Sequence, residues 1–79
     1  MQEVVLYGRE GCHLCEDMRA ALQPWISAGH IRLRWVEIDR DPALRARYGT
    51  RIPVLCLGER EICHYHLDPV ALEAALSGA

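Results

Sequence analysis

A strand–helix–strand pattern at the start of this 79-residue chain limits its fold more than any other feature. Residues 3–7, EVVLY, are β-branched and aromatic and are followed by glycine, which is typical of a buried strand. From His13 onward apolar residues recur at helical spacing, which predicts an amphipathic helix that kinks or restarts at Pro24 and ends at Gly29. IRLRWVEID then predicts a second strand, either half-exposed at its start or bulged. Such a βαβ unit places two strands in parallel.

The second half of the chain adds a short helix, a hairpin and a final helix. Asp41-Pro42 and Asp68-Pro69 both read as an N-cap followed by the first helical position. Between them, RIPVLCLGEREICHY predicts a hairpin, and a turn at Glu59-Arg60 would place Cys56 opposite Cys63. The last helix is expected to bury Val70, Leu72, Ala75 and Leu76. The order βαβαββα predicts an α/β fold in a single domain, residues 1–79, with a four-stranded mixed sheet flanked by helices.

Charge and hydropathy exclude several classes of partner. The nine basic residues are all arginine and are scattered among eleven acids, for a net charge of −2, so no basic patch predicts nucleic-acid binding. Charged residues interrupt the first twenty positions, and no apolar run is long enough to span a bilayer. We therefore expect a cytoplasmic monomer that does not bind membranes. In the cytosol, closely spaced cysteines more often serve redox or metal chemistry than structural disulfides.

Cys12 and Cys15 form a Cys-x-x-Cys pair where the first helix begins. A helix N-terminus offers free N–H groups and the positive end of the helix dipole, both of which stabilise a thiolate. In such sites the pKa of the first thiol falls from about 8.5 to between roughly 3.5 and 7.5. We therefore assign nucleophilic attack to Cys12 and resolution to Cys15. Arg9 adds a positive charge nearby, and His13 favours the thiolate when it is protonated, although a simply exposed His13 is an equal alternative.

Pro53 precedes a strand that is expected to pair beside the first strand, which brings RIP next to the dithiol. A proline at a strand entrance is permitted. A cis Ile52–Pro53 bond would leave the backbone of Ile52 free to pair with an extended substrate. Only about 5–6% of X–Pro bonds are cis, so the residues alone do not predict that isomer.

The succession of strand, Gly-Cys-His-Leu-Cys at a helix start, helix, strand, short helix, Arg-Ile-Pro-Val-Leu, hairpin and final helix resembles the thioredoxin superfamily. More specifically, it is similar to short bacterial glutaredoxin-like proteins. The resemblance implies a thioredoxin/glutaredoxin-like fold and thiol–disulfide oxidoreductase activity, with Pro53 cis and facing the dithiol. It also implies that Arg9 matches the basic residue that glutaredoxins carry three positions before the first cysteine. The substrate contacts expected on this basis are Arg9, His13, Ile52, Pro53 and His64.

The resemblance also implies which small molecules and proteins take part. No tightly bound cofactor is expected, and the reductant is glutathione, a thioredoxin-type reductase or another dithiol protein. The partner is a disulfide-containing protein or a small thiol. Glutaredoxins hold glutathione partly through a Gly-Gly pair after the fourth strand, which falls here on Cys63 and His64, with His66 near the following acid. Side chains at both positions would crowd a bound tripeptide, so glutathione use stays open.

Three alternatives remain beside this prediction. Cys12, Cys15, Cys63 and His66 are acceptable ligand types for zinc or an iron–sulfur cluster, which would make the chain a metal-binding or redox-sensing module. A copper-chaperone fold, βαββαβ, fits poorly because DPALRARYG is helical and the chain ends in a helix. The third alternative is a weakly active domain whose real partner is another protein.

Overall fold

Four strands form one mixed sheet in the order β2-β1-β3-β4. The computed structural model describes residues 2–78. The elements in chain order are β1 (Gln2–Gly8), α1 (His13–Ala21), α2 (Gln23–Ser27), β2 (Ile31–Glu37), a 3-10 helix (Ile38–Arg40), α3 (Pro42–Tyr48), β3 (Val54–Leu57), β4 (Arg60–His64) and α4 (Pro69–Leu76). β1 and β2 run parallel, whereas β3 is antiparallel to both β1 and β4. The predicted α/β architecture is confirmed.

The sheet buries both of its faces. On one face, Val4, Leu6 and Leu55 pack with Leu22 and Leu72, which come from the α1–α2 junction and from α4. On the other face, Val54 and Cys56 pack against Tyr48 of α3, with Tyr7 partly buried beside them. Successive strand residues point to opposite faces of the sheet. Because both faces are covered here, β1 and β3 are almost continuously apolar.

Local sequence signals account for the helix boundaries. α1 ends at Ala21 and a new helix begins at Gln23 with Pro24 in its first turn. Of the two predicted outcomes at Pro24, a kink or a restart, the structure has the restart. Asp41 Oδ1 accepts hydrogen bonds from the backbone N–H groups of Ala43 and Leu44, at 2.9 and 3.3 Å. Asp68 caps α4 in the same way. Along residues 2–78, no helix is long and apolar enough to cross a membrane.

Two details of the second half differ from the sequence prediction. Leu57 pairs with Arg60, so Gly58 and Glu59 form the turn, and Gly58 supplies the positive φ of 59°. Together with an irregularity between Leu55 and Cys56, this register places Leu55 opposite Cys63 and Cys56 opposite Glu61. The two cysteines are therefore not cross-strand partners.

The sequence pattern predicts that Val70 is buried, but Val70 is 79% exposed, so this prediction is wrong. Leu72 and Ala75 are buried as expected, and Leu76 is partly buried. Val70 lies in the first turn of α4, next to the N-cap. Its apolar character fits the helical spacing, but the helix presents only one narrow side to the sheet.

Candidate active site

One end of the sheet gathers segments from all four strands. The pairings of Gly8 with Glu37, Tyr7 with Val54, and Val54 with His64 show that β1, β2 and β4 end where β3 begins. We call this end the dithiol pole, and it comprises residues 8–15, 37–39, 50–53 and 64–66. The sheet topology therefore brings the Cys-x-x-Cys loop and the Ile52–Pro53 segment to the same edge.

The loop that leaves β1 is a tight turn that delivers Cys12 to the start of α1. The Cys12 N–H donates to the carbonyl of Arg9 at 3.1 Å, and Gly11 has a φ of 83°, as the third position of a type II turn requires. Cys12 is the N-cap of α1, and its carbonyl accepts the first helical hydrogen bond, from Glu16. Its Sγ accepts a hydrogen bond from the backbone N–H of Cys15 at 3.2 Å. A sulfur in this place faces the positive end of the helix.

Cys12 and Cys15 are joined as a disulfide, with their Cα atoms 5.2 Å apart. That separation lies within the range of ordinary disulfides. Cys15 is only 1% exposed, whereas Cys12 is partly exposed. A sulfur atom that approaches from solvent therefore has access to Cys12 and not to Cys15.

Gly8 makes room for the buried sulfur of Cys15. A Cβ at position 8 would lie 2.8 Å from Cys15 Sγ and 2.5 Å from Cη2 of Trp35, so a side chain there would have to displace the sulfur or the ring. Trp35 and Cys15 are thus neighbours across the end of β1. The guanidinium of Arg19 lies 4.9 Å from the centre of the Trp35 ring and covers the indole from the α1 side.

Arg9 is held in an ion pair beside the dithiol. Its Nε lies 2.9 Å from both carboxylate oxygens of Asp39, in the 3-10 helix after β2. The next amide, Glu10 N–H, donates to the Glu37 carboxylate at 2.9 Å. The end of β2 therefore fastens the dithiol loop and offsets part of the Arg9 charge. The sequence prediction for Arg9 did not include this partner.

The remaining predicted contact residues occupy different environments. His13 is exposed as the first residue of α1. Pro53 is buried, Ile52 is partly buried against the Tyr48 cluster, and the peptide bond between them is cis. The Pro53 carbonyl accepts a hydrogen bond from the N–H of Tyr65 at 2.9 Å.

His64 ends β4 and takes part in a small charged network. Its Nδ1 lies 3.1 Å from one oxygen of Glu61, while the other oxygen lies 2.6 Å from Nη1 of Arg51. Partial burial raises the pKa of Glu61, but the hydrogen bonds from Arg51 and His64 outweigh it and hold that pKa below its usual range. His64 is thus tied to the segment that leads into Pro53.

Cys56 and Cys63 are free thiols, in contrast to the disulfide-bonded Cys12 and Cys15. Burial raises the pKa of each, and Cys56 also shares a hydrogen bond with Tyr48. Within residues 2–78, no three His, Cys, Asp or Glu side chains are grouped as a metal site requires. The four candidate ligands of the zinc or iron–sulfur alternative are therefore not gathered into one such group.

Comparison with known proteins places this geometry in context. Residues 3–77 match the model of the Glutaredoxin-like domain (DUF836). An uncharacterized protein of Mycobacterium tuberculosis is 29% identical over 80 residues, covering 95% of this chain and 82% of its own.

Solved structures show the same similarity. The solution structure of protein Ne2328 from Nitrosomonas europaea has a TM-score of 0.83 and 41% identity, covering 94% of this chain and 89% of its own. The X-ray structure of protein XcR50 from X. campestris has a TM-score of 0.69 and 38% identity, covering 96% and 97%. Thioredoxin 1 from Thermosipho africanus, at 16% identity and a TM-score of 0.60 over 96% of both chains, shares the fold. The thioredoxin-like fold predicted from the sequence is confirmed.

Proposed function

The chain belongs to the Glutaredoxin-like domain (DUF836) family, and we propose that it is a thiol–disulfide oxidoreductase that works through Cys12 and Cys15. The observation that carries the proposal is the place of Cys12. Its sulfur is partly exposed and caps the N-terminus of α1, within 3.2 Å of the Cys15 N–H. A backbone N–H and a helix dipole directed at one sulfur favour its thiolate, which is the nucleophile in disulfide exchange.

The reaction proceeds in two exchanges. The Cys12 thiolate attacks one sulfur of the substrate disulfide, so a bond forms between Cys12 and that sulfur while the other substrate sulfur leaves as a thiolate and takes a proton from water. Cys15 then loses its proton to the hydroxide left by that water, and its thiolate attacks Cys12 Sγ and releases the second substrate thiolate. Two electrons pass to the substrate, and the protein ends with the Cys12–Cys15 disulfide.

Burial of Cys15 supports its assignment as the resolving residue. A sulfur that is 1% exposed is shielded from external disulfides, but it lies next to Cys12 within the same helical turn. An attack from within the molecule needs no access from solvent. The difference in exposure between the two sulfurs supports this order of the two steps.

The segment around Pro53 is proposed to receive the substrate. Ile52 and Pro53 directly precede β3, and the pairing of β3 with β1 brings them to the dithiol pole. We propose that an extended substrate lies along the Ile52 backbone, with His13 and His64 at its borders. Arg9 is proposed to tune the charge at Cys12 rather than to bind substrate directly, because its Nε is committed to Asp39.

The proposed reductant is a thiol compound or protein, with glutathione as one member of that class, and no tightly bound cofactor is required. The disulfide form must regain two electrons from such a thiol before each new cycle. The proposed substrate is a disulfide in a protein or small molecule.

Trapping the mixed disulfide tests the proposal. The Cys15→Ser variant, mixed with a peptide that carries one disulfide, should accumulate a covalent adduct of one peptide per chain, detected by intact mass spectrometry and released by dithiothreitol. Cys63→Ser, which leaves both dithiol cysteines in place, should accumulate no such adduct. Absence of an adduct at Cys12 in Cys15→Ser would refute the proposal.

A further inference from the structure

Tyr65 has a backbone conformation that its side chain disfavours. Within residues 2–78 it is the one non-glycine residue with a positive φ, at 63°. An L-residue with a bulky side chain rarely adopts that region, and such residues persist only where their surroundings hold them. The N–H of His66 donates to the carbonyl of His64 at 2.7 Å, so Tyr65 is the centre of a three-residue turn.

Two hydrogen bonds connect Tyr65 to the segment that leads into β3. Its backbone N–H donates to the Pro53 carbonyl at 2.9 Å, and its hydroxyl donates to the Thr50 carbonyl at 2.7 Å. One residue therefore holds both ends of residues 50–53. The positive φ allows the backbone and the ring of Tyr65 to reach this segment together.

Neighbouring contacts hold Tyr65 in place. The ring of His64 packs edge-on against the Tyr65 ring, with 4.7 Å between the centroids. His64 is in turn bonded to Glu61, which pairs with Arg51. The segment at 50–53 is thus tied to the end of β4 by a direct link and by this second, charged link.

The hydrophobic core does not explain this arrangement. Tyr65 is 41% exposed and belongs to neither of the two core clusters. Its two hydrogen bonds both go to residues 50–53, one to Thr50 and one to Pro53. We infer that Tyr65 is a positioning residue. It holds residues 50–53 in the position in which they receive an extended disulfide substrate beside Cys12. The inference rests on the proposed function and adds to it the residue that positions the substrate-docking segment, residues 50–53.

Two rate measurements on three variants test the inference. Reduced protein is mixed either with the disulfide peptide, which must dock, or with iodoacetamide, which reacts with Cys12 without docking. Tyr65→Phe removes only the hydroxyl. Tyr65→Gly removes the side chain and adopts a positive φ without cost, so it keeps the backbone turn. Val70→Ala, whose side chain is 79% exposed on the next helix, is the matched control.

For both Tyr65 variants we expect the second-order rate constant with peptide to fall by about three- to tenfold, the factor typical of one lost ordering hydrogen bond. The rate with iodoacetamide should be unchanged, and Val70→Ala should match the wild type in both assays. A wild-type peptide rate in either Tyr65 variant overturns the inference. An equal fall in both rates also overturns it, because the effect would then be a general disturbance of the site. A wild-type protein that alkylates at Cys12 but does not reduce the peptide overturns the proposed function, and the inference with it.

Discussion

Cys12 Sγ accepts the Cys15 backbone N–H at 3.2 Å, so one sulfur is both the N-cap of α1 and half of the dithiol. Ser, Thr, Asp and Asn usually make this capping contact through oxygen. A thiolate in the same position gains from the N–H and from the helix dipole, whereas the neutral disulfide gains less. The helix start therefore favours the charged, reduced form of Cys12.

Trp35 should report the redox state of the dithiol. The indole and Cys15 Sγ both crowd the Cβ position of Gly8, so the ring and the sulfur are close neighbours. Because a nearby disulfide quenches an excited indole, we expect reduction to raise tryptophan fluorescence. The measurement is emission of the protein before and after dithiothreitol.

Trp25 provides the control for this measurement, because it lies in α2 rather than at the dithiol pole. Trp25→Phe should keep the redox-dependent change, and Trp35→Phe should lose most of it. Persistence of the full change in Trp35→Phe would show that the indole does not sense the dithiol.

Asp39 should restrain the reactivity of Cys12 through Arg9. In Asp39→Asn the Arg9 guanidinium loses its ion pair, and its uncompensated charge favours the thiolate. Exposed ion pairs are worth about 0.2–1 kcal/mol. At a pH where Cys12 is only partly ionised, its alkylation rate should therefore rise by roughly 1.4-fold to fivefold. Iodoacetamide kinetics at low ionic strength measure the change.

The control is to introduce Asp39→Asn into the Arg9→Gln variant as well as into the wild type, and to compare the two changes in alkylation rate. In Arg9→Gln the second substitution should have a smaller effect, because the cation that Asp39 offsets is gone. An equal rise in both backgrounds would show that Asp39 acts on Cys12 without Arg9.

The Asp39 contact illustrates what sequence reasoning could not reach. Arg9 and Asp39 are 30 positions apart, and they meet because the parallel register places Gly8 beside Glu37. No local pattern reports that register. By contrast, the Asp-Pro caps, the restart at Pro24 and the cysteine spacing are local signals, and these gave the element order and the dithiol.

The hairpin and its following turn show the same limit at shorter range. The sequence predicts a turn at Glu59-Arg60, with Gly58 before it, but the positive φ of Gly58 places this residue inside the turn. The earlier turn and the irregularity between Leu55 and Cys56 together pair Cys63 with Leu55. Tyr65 has a positive φ without being Gly, Asn or Asp, the residues that usually mark one. Its conformation follows from the contacts with Thr50 and Pro53, which only the folded chain provides.

Glu61 should contribute stability that acid removes. Because its pKa in the folded protein is lowered from 4.5, the ionised form favours folding above about that pH, and the contribution disappears as pH falls through the folded value. The Glu61 side chain is 32% exposed, so the loss should be at most about 1 kcal/mol. Urea unfolding at pH 7 and pH 3.5 measures it.

Glu61→Gln should be less stable than the wild type at pH 7 and should lose less stability on acidification. Glu73→Gln, at an exposed site on α4, is the control and should follow the wild-type profile. If Glu61→Gln and the wild type lose equal free energy of unfolding between the two pH values, the Arg51–Glu61–His64 network is not a source of stability.

The most direct test of the account is the rate at which reduced Cys12→Ser, freed of small thiols, reduces a disulfide peptide. Cys15 remains in this variant but is 1% exposed. We predict that the rate falls to that of the peptide without protein, while the wild type converts close to one peptide per chain. Reduction by Cys12→Ser at the wild-type rate would contradict the assignment of Cys12 as the nucleophile.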